Sequence, residues 1–157
     1  MNKTFYIFIL FLFSASAFAQ KVTEKELIGT WELITFETNG MTINNKTYDI
    51  ILSPEMKKKY GDKAETFRKK ASDELKKNKP KAQQLVFEDG TKVFFRKEDE
   101  EPLSWHYLLF EKEEGVQYLK MNGGDFKITR DGKAIVLSGK ENNGNEITMT
   151  YEKAIKK

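Results

Sequence analysis

Few side chains of this chain could carry out chemistry. Its 157 residues include one histidine, His106, and no cysteine. A nucleophile with an imidazole base could therefore be built only around His106, and no Gly-x-Ser-x-Gly turn presents a serine for it. Zinc asks for several His or Cys ligands, so a metal centre is not expected. The acidic run Glu98-Asp99-Glu100-Glu101 lacks the spaced oxygens and the glycine of a calcium loop. Gly123-Gly124 falls in a hairpin signal and not in a strand-to-helix loop that could cradle phosphate. These absences point away from an enzyme and away from a bound cofactor.

What remains is apolar. Phe36, Phe87, Phe95, Tyr118, Phe126, Met149 and Tyr151 are the side chains that a lipid or other apolar molecule would touch, and an ordinary packed core needs the same residues. His106 sits in Ser104-Trp105-His106-Tyr107, where strand alternation puts it on one face with Leu108 and Phe110. It is a candidate lumen-facing ligand contact, with a core or rim histidine as the default reading. Asn45-Lys46-Thr47 fits a glycosylation acceptor, whose use depends on the host.

The elements that position these residues are mostly strands. Thr23 with Glu26 makes a capping box for one helical turn before Leu27 and Ile28. Strand signals then cover residues 31–38, 41–51, 84–88, 91–97, 104–112, 116–121, 125–130, 133–140 and 146–155. Asn39-Gly40, Asp89-Gly90 and Asp131-Gly132 are hairpin dipeptides between neighbours, and Asn44-Asn45 suggests a bulge or turn inside the second segment. Nine candidate strands joined by short turns make a meander, and about eight of them should close into an antiparallel up-and-down barrel; a flattened sandwich or a curved open sheet is the alternative.

Residues 54–78 interrupt the strands. Ser53-Pro54-Glu55 reads as cap, first helical residue and early acid, and Met56, Tyr60, Ala64, Phe67, Ala71 and Leu75 form one apolar stripe. A single straight helix would be about 37 Å long, and Gly61-Asp62 offers a break, so two helices are expected. Residues 55–81 contain 11 lysines and arginines against 5 aspartates and glutamates. That basic face is a solvated surface, or one that attracts anionic ligands or an acidic membrane surface.

The address is written at the start. Lys3 is followed by an apolar run over residues 5–13 and by Ala17-Phe18-Ala19, the pattern of a signal peptide over residues 1–19 that is cleaved near Ala19 and leaves one domain over residues 20–157. The nine-residue run is far shorter than the roughly 20 residues of a membrane span. A secreted or periplasmic, monomeric product follows. Export and a near-balance of 26 basic and 24 acidic side chains beyond Lys3 argue against nucleic acid as a partner.

Leu27-Ile28-Gly29-Thr30-Trp31-Glu32-Leu33 resembles the opening of bacterial lipocalin-like domains, a calycin-type group in which a Gly-x-Trp element follows a short helix. Phe87-Glu88-Asp89-Gly90-Thr91 and Tyr151-Glu152-Lys153 look similar to the middle hairpin and last strand of such domains. The resemblance implies structural roles for Gly29 and for Trp31, as the plug of the closed end, with a basic residue, Lys153 or Arg130, lying over the Trp. It also implies a small apolar or amphipathic ligand in the barrel. The helical segment departs from the lipocalin plan and is closer in kind to the two-helix lid of fatty-acid-binding proteins. The expectation is an exported, non-catalytic ligand-binding barrel. Its rival is an exported interaction module with a filled barrel that binds a macromolecule through its basic helix or loops.

Overall fold

Residues 21–140 and 144–155 are described in the computed structural model. The leader expected over residues 1–19, and part of the turn expected near residues 142–145, lie outside them. The chain opens with the capping box: the Thr23 hydroxyl accepts from the Glu26 amide at 3.3 Å, and the Glu26 carboxylate accepts from the Thr23 amide at 2.9 Å. This sets one helical turn, α1 (Glu24–Leu27), whose Leu27 is fully buried.

β1 (Gly29–Thr38) turns through Asn39 and Gly40, both at positive φ, into β2 (Met41–Asn44). The strand expected over residues 41–51 is two strands. Asn44 Oδ1 accepts from the amides of Lys46 and Thr47 at 2.8 and 3.0 Å, an Asx turn that stops β2 before β3 (Ile50–Leu52) begins. The helical insertion therefore follows the third strand and not the second. Ser53 caps α2 (Pro54–Tyr60) by accepting from the Met56 amide at 3.2 Å, a 3₁₀ turn occupies Gly61–Lys63, and α3 (Ala64–Asn78) completes the insertion. Two helices with a break at Gly61 are what the sequence predicts.

The remaining strands are β4 (Gln83–Glu88), β5 (Lys92–Lys97), β6 (Leu103–His106), β7 (Leu108–Glu113), β8 (Val116–Met121), β9 (Gly124–Asp131), β10 (Ala134–Lys140) and β11 (Glu146–Lys153). Their pairing order is β6-β5-β4-β1-β11-β10-β9-β8-β7, antiparallel throughout, and β2 and β3 branch from β1. Among the described residues, eleven strands replace the expected eight or nine because two segments break, the second being residues 104–112 at Tyr107. That break closes the wall. One run of chain pairs with β5 through β6 and with β8 through β7, and the Tyr107 amide donates to the Thr91 carbonyl at 2.8 Å across the bend. The result is a nearly closed antiparallel barrel whose strands follow one another in meander fashion except across the helical insertion, where β4 returns to pair with β1.

Two apolar cores result. The barrel core holds Leu85, Phe87, Val93, Leu119, Ile128, Ile135, Leu137 and Tyr151, each almost wholly buried. Each such aliphatic or aromatic side chain is worth about 1.5–3 kcal/mol of burial. The second core lies where α2 and α3 cover β2 and β3: Ile50, Leu52 and Ala64 are buried, with Met56, Tyr60, Phe67, Ala71 and Leu75 packed against them. Phe36 of β1 pairs with Ile43, and Ile43 with Ile50, so the helices cover a continuation of the face that lines the barrel. Ser72 fastens α3 to the β2–β3 connection by donating to the Tyr48 carbonyl at 2.8 Å.

Candidate functional site

The two ends of the barrel differ. At one end Trp31 is 5% exposed and its Nε1 donates to the Leu27 carbonyl at 2.6 Å, which ties the indole to α1. Val22 and Leu27 close the same end, Val22 through reciprocal hydrogen bonds with the Gln117 amide group at 2.6 and 3.0 Å. Lys153, and not Arg130, lies over the Trp31 ring; its Nζ is 5.4 Å from the ring centroid and donates to the Glu26 carbonyl at 3.0 Å. Arg130 pairs with the Glu26 carboxylate and donates to the Gly132 carbonyl at 3.0 Å. Gly29 has φ +125°, and a Cβ there would meet Lys153 Cε at 3.1 Å, so the lysine's course over the indole depends on a residue without a side chain. Glu26 is the residue on which both cations converge, and sequence reasoning noticed only its capping role.

Glu26 is held below the ordinary carboxylate range, first by the Thr23 amide, then by the Thr23 hydroxyl and Arg130. Inside the barrel, burial pushes the Tyr151 hydroxyl well above its usual range; that hydroxyl donates to Met149 Sδ at 3.6 Å. Burial also raises Tyr107, whose ring meets Phe87 edge-on with centroids 5.1 Å apart.

Of the ligand-contact candidates, Phe87 and Tyr151 belong to the filled middle layer. Phe36, Phe95, Phe126 and Met149 stand beyond it, away from Trp31, and are half-buried against the same core. Phe36 pairs with Met149 across β1 and β11, and Phe95 pairs with Leu103 across β5 and β6. Trp105, which the sequence reading did not select, joins this ring with its centroid 6.2 Å from that of Phe95. Leu103 is 56% exposed at its rim. That end thus presents a cup of partly buried apolar side chains beyond the buried middle layer.

His106 and Tyr118 are not in this group. His106 is exposed and pairs with Lys92, while its neighbours Trp105 and Tyr107 point inward. The face shared by His106 and Leu108 is the outer one, and Leu108 is 54% exposed. The physical reason is side-chain size: burying an indole and a phenol removes more apolar surface from water than burying an imidazole and a leucine. The missed signal was therefore present in Trp105 and Tyr107. Tyr118 stacks on Phe110 on the outer wall, centroids 5.8 Å apart, with Lys112 5.9 Å from its ring centroid.

Two clefts lie outside the lumen. One of about 530 Å³ at the plugged end is lined by Trp31, Ile135, Lys133 and Ile155, among others, but its Arg130 and Lys153 are already engaged by Glu26. Another of about 630 Å³ runs beside Tyr118 on the outer wall. Among the described residues no three His, Asp or Glu side chains converge as metal ligands would. The lysines of the insertion, among them Lys57, Lys58, Lys59, Lys69, Lys70 and Lys77, face solvent.

Strand order, register and a plugged end define a nearly closed antiparallel barrel. No protein-family model matches the chain, and no curated protein matches it. Among solved structures it is similar to the crystal structure of a point mutant of the fluorescent protein UnaG, with 14% sequence identity, 85% of this chain and 100% of that chain covered, and a TM-score of 0.36. Agreement at that TM-score is loose, and the fold stands on the strand pairings themselves.

Proposed function

We propose that the chain is an exported, non-catalytic, lipocalin-like carrier that holds a small apolar or amphipathic molecule at the open end of its barrel. The observation that carries this reading is the ring of half-buried Phe36, Phe95, Trp105, Phe126 and Met149. Several large apolar side chains left partly in water at one end of a barrel form a surface that an apolar ligand would cover. Export is supported by the leader pattern over residues 1–19.

The filled middle of the barrel favours a second reading, an interaction module that uses the solvent-facing lysines of α2 and α3 to bind an anionic partner such as an acidic membrane surface. Gentle native mass spectrometry of residues 20–157, recovered from the exported fraction of the host, separates the two. A stoichiometric extra mass lost on mild activation and identified after solvent extraction supports the carrier. A bare mass, together with no thermal shift from a panel of fatty acids and other apolar ligands, sinks it in favour of the module.

A further inference from the structure

We propose that Phe126 is the gate of the open end, held aside by two glycines, and that its position sets which ligands the cup accepts; this rests on the carrier reading above. Phe126 points inward from β9 and is half-buried against the barrel core. A Cβ built on Gly139, across from it on β10, would lie 2.7 Å from Phe126 Cδ1 and 3.1 Å from Cε1. A Cβ on Gly124, two residues earlier on β9, would lie 3.1 and 3.2 Å from Cε2 and Cζ. The ring is therefore pressed against the wall, with one edge over each glycine.

Neither glycine is there for its backbone. Both avoid the left-handed region, and the tight turn between β8 and β9 is made by Asn122 and Gly123, at φ 49° and 77°. Glycine inside a strand loses more conformational freedom on folding than any other residue and contributes no packing, so two of them at ordinary strand geometry call for a steric reason. The Phe126 ring supplies it. Inward-facing positions 124 and 139 would otherwise carry side chains into the cup. Their absence makes a seat into which the phenyl ring folds, leaving the space near the barrel axis to a ligand.

A methyl group at position 139 cannot share the seat, because real Cβ contacts do not reach 2.7 Å. The ring can yield by rotating about χ1 and χ2, and off the wall it moves toward the axis. Gly139→Ala thus converts an open cup into one occupied by its own phenylalanine. Removing the ring in the same chain reopens it.

The test is titration of residues 20–157 with the fluorescent probe 1-anilinonaphthalene-8-sulfonate, in wild type, Gly139→Ala, Phe126→Ala and Gly139→Ala with Phe126→Ala, with circular dichroism to verify folding. Gly139→Ala is expected to weaken the probe about tenfold in the wild-type background, whereas the same glycine substitution made in Phe126→Ala is expected to change affinity by less than about threefold relative to Phe126→Ala alone. A folded Gly139→Ala protein that binds as well as wild type overturns the gate and leaves the carrier reading intact. Wild type that binds no apolar probe sinks the carrier reading, and the gate with it. If Gly139→Ala does not fold, Phe126→Ala alone decides. It is expected to shift preference at least about fivefold toward the larger dimeric form of the probe, and an unchanged preference overturns the gate.

Discussion

The ammonium group of Lys153 stands 5.4 Å from the centroid of the Trp31 indole ring, at the plugged end of the barrel. The last strand thereby locks the first, since Trp31 and Lys153 are register partners of β1 and β11. From there the Trp31 Nε1 bond to the Leu27 carbonyl extends the lock to α1. The plug is thus a stability element, and substitutions there should be read in unfolding experiments before any binding experiment.

Trp31→Ala is expected to cost about 3–5 kcal/mol, as large aromatic truncations in cores do. Trp31→Phe keeps most of the packing but leaves the Leu27 carbonyl without its donor, at about 1–3 kcal/mol. Lys153→Met keeps the aliphatic stem over the ring and should lose only about 0.5–1 kcal/mol. Urea denaturation of the three variants gives the order; a Lys153→Met cost equal to that of Trp31→Ala would contradict it.

Acid should loosen the same end. Glu26 titrates below its ordinary 4.5 in the folded chain, chiefly through the Thr23 amide. A depressed folded pKa stabilises the fold above the unfolded carboxylate's pKa, and that stabilisation is lost as pH falls through the folded value. Glu26→Gln should therefore lower the urea midpoint at neutral pH, and the gap to wild type should close progressively below about pH 4. A gap of constant size from neutral to strongly acid pH would show that the Glu26 charge is not what matters.

The two cores should open separately. α2 and α3 pack mainly on β3 and on each other, and their buried residues form a cluster distinct from that of the barrel. Native-state hydrogen exchange should show the amides of α3 exchanging through a sub-global opening, while those of β8 to β11 exchange only with global unfolding. Leu52→Ala should speed exchange in α3 and leave the barrel strands nearly unchanged, whereas Leu137→Ala should cost about 2–5 kcal/mol globally. Uniform exchange across both regions would mean one cooperative unit.

His106 and Trp105 give opposite expectations one residue apart. With an apolar probe bound, His106→Ala should leave affinity unchanged, because its side chain is on the outer wall. Trp105→Ala should weaken binding about tenfold, or about 1.4 kcal/mol, through loss of a ring that lines the cup. Fluorescence titration at neutral pH measures both, and a larger effect from His106→Ala would restore the histidine to the site.

The sequence by itself determined the local grammar of the chain. Capping at Thr23 and Ser53, the Asn39-Gly40 turn and the helix break at Gly61 depend on residues close together along the chain, where types and spacing suffice. The resemblance to lipocalin-like domains implied Lys153 or Arg130 as the cation over Trp31, but the choice of Lys153 came from β1–β11 register, which brings the two ends of the domain into contact. Only the tertiary structure decided that residues 103–113 bend at Tyr107 to serve both edges of the sheet. The bulk of Trp105 and Tyr107 already marks the inner face of that segment, but no local pattern marks Tyr107 as the point where its pairing passes from one neighbour to the other. The same holds for Gly124 and Gly139: in the chain the first reads as part of a hairpin turn and the second as one residue of the strand over 133–140, and their contact with Phe126 appears only in the folded wall. Packing between distant residues is a property of the closed wall, and no local pattern encodes it.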